Sequence, residues 1–235
     1  MSIVEKDSCV RAVVMLSGGL DSSTVCRLMH NSNREIYALT FNYNQRHSTE
    51  IEAAKKVAEF NGVKEHIVFP LDLSIFGGSA LTDNSIAVPI DTPLSEIGST
   101  IPLSYVPARN TIFLSVALAY AETKRAHEIW LGVNSVDYSG YPDCRPAYIT
   151  AYQNLANVAT KIGLEQGIKI VTPLLNMSKE EIISLGIKNE VDYSMTRSCY
   201  QLDDYGVSCG RCESCILRKE AFSSLGLSDP IPYHD

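Results

Sequence analysis

Val10-Arg11-Ala12-Val13-Val14-Met15-Leu16-Ser17-Gly18-Gly19-Leu20-Asp21-Ser22-Ser23 joins an apolar run to a turn of small residues, and the helix-like stretch Thr24 to His30 follows at once. The run from Val10 to Leu16 has the continuity of a strand buried on both faces of a parallel sheet. Two adjacent glycines let the backbone turn sharply and approach a ligand closely. The amides of the turn and of the first helical turn then point at one spot. Hydroxyls at Ser17, Ser22 and Ser23 add donors for phosphate oxygens. The stretch reads as a phosphate cradle at the carboxyl end of a strand. A plain strand-to-helix turn capped by Asp21 or Ser22 would use the same residues.

What the loop lacks narrows its chemistry. It has no lysine, so it is not a Walker loop, and it does not fit the G-x-G-x-x-G dinucleotide fingerprint. The remaining chain alternates strand and helix. Glu35 to Tyr43 reads as a second strand and Val63 to Phe69 as a third. Between them Thr49-x-x-Glu52 forms a capping box, with Ile51, Ala54 and Ala58 on one face of the helix it opens. Pro70 to Pro107 has no clear periodicity, and so long a loop is usually functional. Arg109 to Arg125 reads as a helix, His127 to Val133 as a strand, Pro146 to Ile162 as a helix and Ile168 to Thr172 as a strand. Ser178-x-x-Glu181 boxes the helix after it. This order predicts an α/β fold, a doubly wound, mostly parallel Rossmann-like sheet with ligands at the carboxyl ends of its strands.

Composition fits a nucleotide enzyme. The 235 residues, 45% of them hydrophobic, can bury one sizeable core. No apolar run is long enough to span a membrane and Met1 to Asp7 is polar, so a cytoplasmic protein without membrane contact is expected. A formal charge of −7 disfavours a stable nucleic-acid partner and favours small-molecule substrates.

Near the carboxyl terminus Cys199, Cys209, Cys212 and Cys215 form C-x9-C-x2-C-x2-C. Four thiolates close a tetrahedral zinc site, and clustered cysteines in a cytoplasmic protein seldom form structural disulfides. An iron–sulfur cluster or unmetallated thiols would use the same residues. With four ligands the zinc, one per chain, is structural. The chain divides into a nucleotide-binding domain, 1–193, and a small zinc-binding tail, 194–235, packed on it.

The S-G-G-x-D-S loop resembles the pyrophosphate loop of ATP pyrophosphatases, which split ATP between its α and β phosphates. Together with Phe41 to His47, Val106-Pro107-Ala108-Arg109-Asn110, Asp137 to Arg145 and the four-cysteine tail, it makes nearly the whole chain resemble the 7-cyano-7-deazaguanine synthase family of queuosine biosynthesis. The chain departs from that family's common form at Leu20, Ala108 and Asn134 to Val136.

The resemblance implies an adenine nucleotide alpha hydrolase type of fold. It also implies a ligase that converts 7-carboxy-7-deazaguanine, ammonia and ATP to the nitrile through an adenylated acid and an adenylated amide. ATP would then lie along Leu16 to Cys26, that is Leu16, Ser17, Gly18, Gly19, Leu20, Asp21, Ser22, Ser23, Thr24, Val25 and Cys26. Asp21 either binds the Mg2+ that accompanies ATP or caps the helix. Arg109 and Lys179 would offset phosphate charge in the transition state. Asp137 or Asp143 would read the base, Tyr138 or Tyr141 would stack on it, and Arg145 would pair with the substrate carboxylate or with Asp143. Similar enzymes are often homodimers, a state these residues do not fix. Competing readings are an enzyme that joins the activated deazaguanine to a protein amine, a tRNA-sulfurating pyrophosphatase, and a zinc-braced nucleotide sensor.

Overall fold

The computed structural model describes residues 9–46, 49–137, 140–203 and 205–234. Its centre is β1, Arg11–Met15, whose Ala12, Val13 and Val14 are fully buried. It pairs in parallel with β2, Glu35–Asn42, on one side and with β4, Glu128–Trp130, on the other. β3, Glu65–Pro70, extends the sheet beyond β2, and β5, Lys169–Val171, extends it beyond β4, giving the order β3-β2-β1-β4-β5. All pairings are parallel, as the apolar strands require.

Alternation along the strands sends side chains into two cores. Val13, Tyr37, Leu39, Phe41 and Ile129 face α3, Arg109–Lys124, and α4, Pro146–Ala159. Ala12, Val14, Ile36 and Ala38 face α1, Leu20–Asn31, α2, Thr49–Phe60, α6, Lys179–Lys188, and α7, Glu213–Ser224. The doubly wound α/β expectation therefore holds. Because Ala221 and Phe222 of α7 sit in the same core as Ala12 and Val14, the carboxyl-terminal helix is part of the main packing.

Three local expectations change. The helix expected over Pro146 to Ile162 breaks at Thr160, whose extended backbone and hydroxyl cap a separate α5, Lys161–Gln166, by accepting from the Gly163 amide at 3.1 Å. β4 is shorter than His127 to Val133, since beyond Trp130 the chain leaves the ladder. Thr49 lies inside α2 instead of before it, and residue 48, which would precede the helix, is outside the described residues. The capping box at Ser178 and Glu181 forms as expected. No helix among the described residues is long and apolar enough to cross a membrane.

Leu114 of α3 is fully buried against the sheet. Leu114→Ala is expected to lower stability by about 2–5 kcal/mol through lost burial and a residual cavity, read as a lower urea midpoint at unchanged slope.

Candidate active site

β1 runs straight into the loop Ser17-Gly18-Gly19, and α1 starts immediately after it at Leu20, four residues earlier than its sequence periodicity indicated. Gly18 has φ +82°, and a Cβ there would lie 2.3 Å from the Glu50 carbonyl oxygen of α2. Gly132, just past β4, faces the same turn from the opposite side, where a Cβ would sit 2.8 Å from the Ser22 nitrogen. The amino end of α1 is thus pressed between two backbones that only glycine lets so close.

Within the loop, the Ser17 amide donates to Ser22 Oγ at 3.1 Å and the Gly19 amide to Ser17 Oγ at 3.2 Å. Ser23 Oγ turns back to the Gly19 carbonyl at 2.8 Å. The helix cap is Gly19, with no side-chain capping bond, so Asp21 is not the cap. Instead both Asp21 carboxylate oxygens accept from Lys179 Nζ, at 2.8 and 2.9 Å. Lys179 is only 6% exposed, so its charge is held inside the protein. Its ammonium also pairs with Asp137 at 3.1 Å. Burial pushes the Asp137 carboxyl up despite the adjacent ammonium.

A cavity of about 250 Å3 opens at the carboxyl ends of β1, β2 and β4. Leu16, Ser17, Gly19, Leu20, Asp21 and Ser22 form its floor. Phe41, stacked on Phe113 with centroids 3.9 Å apart, and Tyr43 form an aromatic wall. The Arg109 guanidinium lies over the Tyr43 ring, 5.8 Å from its centroid. Burial opposes its charge, but Tyr43, Tyr141, Asp143 and Cys144 around it keep it firmly protonated. Tyr141 lines the cavity with its hydroxyl 2.7 Å from Ser104 Oγ. Burial pushes the Cys144 thiol up to about 12, an environment unsuited to a nucleophile.

Other expected positions fall away from the cavity. Thr24, Val25 and Cys26 do not line it, and the last two pack in the core behind the loop. Asp143 is buried, with Oδ2 accepting from the Asn110 amide at 3.0 Å. Arg145 is exposed at the start of α4 and does not line the cavity. Tyr138 lies outside the described residues.

The structure adds residues that periodicity could not find. The segment after Met195 arches over the loop, with the Arg197 amide donating to the Gly18 carbonyl at 2.9 Å and Ser198 Oγ accepting from the Leu20 amide at 3.4 Å. Arg197, Arg46 and Glu50 all line the cavity. Glu50, in the first turn of α2, is not singled out by its sequence pattern. Ala108 and Asn134, two of the positions noted above as departures, have local accounts. Ala108 adopts φ 55°, a conformation glycine reaches without penalty. Buried Asn134 accepts from the Val136 and Asp137 amides and donates to the Leu174 carbonyl, fixing the turn that carries Asp137.

The ligand atoms of Cys199, Cys209, Cys212 and Cys215 all lie within 4.8 Å of one another. Backbone amides of Gln201 and Cys209 donate to the Cys199 sulfur at 3.2 Å, and those of Arg211 and Cys212 to the Cys209 sulfur. Four converging sulfurs with amide donors turned toward them fit a tetrahedral metal ion. The cluster braces the long loop as well, because Ile90 bridges to Cys212 and Ala80 and Val88 pack on the cysteines.

The model of the family described as queuosine biosynthesis protein QueC matches residues 11–226. The chain belongs to this family. It is 53% identical over 224 residues, 95% of this chain and 98% of the relative, to a protein of Ralstonia pickettii (strain 12J) named 7-cyano-7-deazaguanine synthase. An Azotobacter vinelandii protein of the same name is 52% identical over the same coverage. Among solved structures, NMN synthetase from Francisella tularensis aligns at TM-score 0.49 and 18% identity over 92% of this chain and 77% of that one.

Lys179→Met leaves Asp21 and Asp137 buried without their cation. A loss of about 3 kcal/mol or more is expected at neutral pH. The loss should shrink as the pH falls, because the variant's Asp137, its folded pKa raised further, is relieved by protonation. Thermal melts of both proteins across acidic and neutral pH check the direction.

Proposed function

We propose that this chain is a 7-cyano-7-deazaguanine synthase that consumes ATP, ammonia and 7-carboxy-7-deazaguanine. The observation that carries this reading is the phosphate loop at the floor of an aromatic-walled cavity, in a chain more than half identical over nearly its full length to proteins of that name.

A carboxylate resists displacement because oxide is a very poor leaving group. Joining it to the α phosphorus of ATP, with loss of pyrophosphate, supplies AMP as the leaving group. Ammonia then displaces AMP, the amide oxygen is adenylated by a second ATP, and departure of the second AMP leaves the nitrile. Both rounds need an oxygen nucleophile in line with one phosphorus, so a single cavity serves both.

The loop amides and the amino end of α1 grip the departing pyrophosphate, assisted by Ser17 and Ser22. Ser23, turned to Gly19, shapes the loop rather than touching phosphate. Arg109 and Arg197 offer fixed positive charge at the cavity wall, and Lys179 balances the acids beside the loop. The flat aromatic wall of Phe41, Tyr43 and Phe113 suits a deazapurine ring or adenine by stacking. The bound metal of the four cysteines is zinc in a structural role, one ion per chain. Mg2+ accompanying ATP would neutralise phosphate oxygens, and Asp21 would hold it by giving up one of the two oxygens it shares with Lys179. Four clustered free thiols suit a reducing cytoplasm.

Protein incubated with ATP, magnesium, ammonium and the carboxy-deazaguanine should release AMP together with the nitrile, resolved by chromatography and mass spectrometry. ADP as the main product would contradict the scheme. Ser22→Ala should lower kcat by about 10²-fold. Elemental analysis should find one zinc per chain, and a strong chelator should lower the thermal midpoint.

A further inference from the structure

Ammonia brings three hydrogens on nitrogen, and the nitrile keeps none. Resting on the activity proposed above, each turnover therefore needs a group that takes protons from that nitrogen. The roles assigned so far supply none. Lys179 is held as a cation between Asp21 and Asp137. Asp21 is engaged through both oxygens by that lysine. Burial raises the Cys144 thiol and the Tyr43 phenol, leaving both protonated.

Glu50 differs from these. It lines the cavity in the first turn of α2, and its carbonyl oxygen lies against Gly18, so the turn that carries it is packed on the phosphate loop. Its carboxylate makes no hydrogen bond or ion pair among the described residues. The charged and titratable groups that act on it come from three other elements: Arg109 of α3, Tyr43 past the end of β2, and Cys212 of the metal cluster. We propose that Glu50 is the general base that removes protons from the attacking ammonia nitrogen and then from the adenylated amide.

In the first step the nitrogen lone pair forms the C–N bond, the C–O bond to AMP breaks, and one N–H proton moves to a Glu50 carboxylate oxygen. In the second, the remaining N–H proton of the imidoyl adenylate moves to Glu50 as its electron pair forms the third C–N bond and AMP departs. Water takes the proton from Glu50 between the steps. The proton removed when the amide becomes the imidate follows the same route. Burial raises the Glu50 carboxyl against the pull of Arg109, and its place in the cavity wall beside the phosphate loop leaves it within reach of the reacting nitrogen.

The test compares wild type with Glu50→Gln, which keeps the shape and loses the base. Nitrile formation should fall by about 10²–10⁴-fold, while ATP–pyrophosphate exchange in the absence of ammonia should fall far less. Hydroxylamine, whose conjugate acid is much more acidic than ammonium, should restore most acyl transfer. With free ammonia held constant and saturating at each pH, the wild-type rate should rise with pH to a plateau, and that limb should vanish in the variant. A Gln variant with undiminished nitrile formation and the same pH limb would overturn the assignment. So would equal loss of exchange and nitrile formation in a variant that melts normally. Should Glu50→Gln fail to fold, Glu50→Asp must retain the limb at reduced rate, and its loss would count against the proposal. Wild type that makes neither AMP nor nitrile would instead defeat the proposed activity.

Discussion

The close approach of three backbones at the amino end of α1 is the constraint on which the site depends. Gly18 abuts the Glu50 carbonyl of α2, Gly132 abuts the Ser22 amide, and the Arg197 amide ties the Gly18 carbonyl to the arch above. A methyl group at either glycine would have to displace main chain, which packed interiors resist. The polar ends of three elements thereby converge on a few ångströms of loop, and the cavity is the space left beside them. The position follows from topology too, since β1 has β2 on one side and β4 on the other, and the crevice opens where the chain departs in both directions.

Electrostatics reinforce this packing. Lys179, delivered by the capping-boxed start of α6, reaches the acid in the first turn of α1 and the acid after β4. One cation thus joins three segments that are distant in sequence. Arg46 does similar work with uncharged partners, donating to the Ala80, Asp83 and Ile86 carbonyls and pinning a loop that has no strand or long helix of its own. From the far side the four cysteines hold the same loop. A segment lacking periodicity is therefore ordered by contacts it receives from elsewhere.

These arrangements explain what the sequence disclosed. β1, β2, β3 and the Ser178 capping box were legible because their signals are local: continuous apolar runs, and a hydroxyl three residues before a glutamate. The four-cysteine cluster was legible because its spacing is short. Glu50, Arg197 and the aromatic wall were not, because their roles arise from helix and loop placement across the sheet and leave no periodic mark. Asp21 was only half legible. Its place beside the loop was plain, but its partner lies 158 residues away, and no local rule connects the two. Arg145 and Cys26 show the opposite case: they are near the site in sequence but do not line the cavity.

The shared core of the first strand and last helix bears on how the protein comes into being. Ala12 and Val14 share one core with Ala221 and Phe222, which α7 joins through its packing on α6. The sheet face that carries Ala12 and Val14 therefore stays partly uncovered on a ribosome until α6 and α7 have been made. Apolar surface left open in this way is prone to association with other chains until its covering helices arrive.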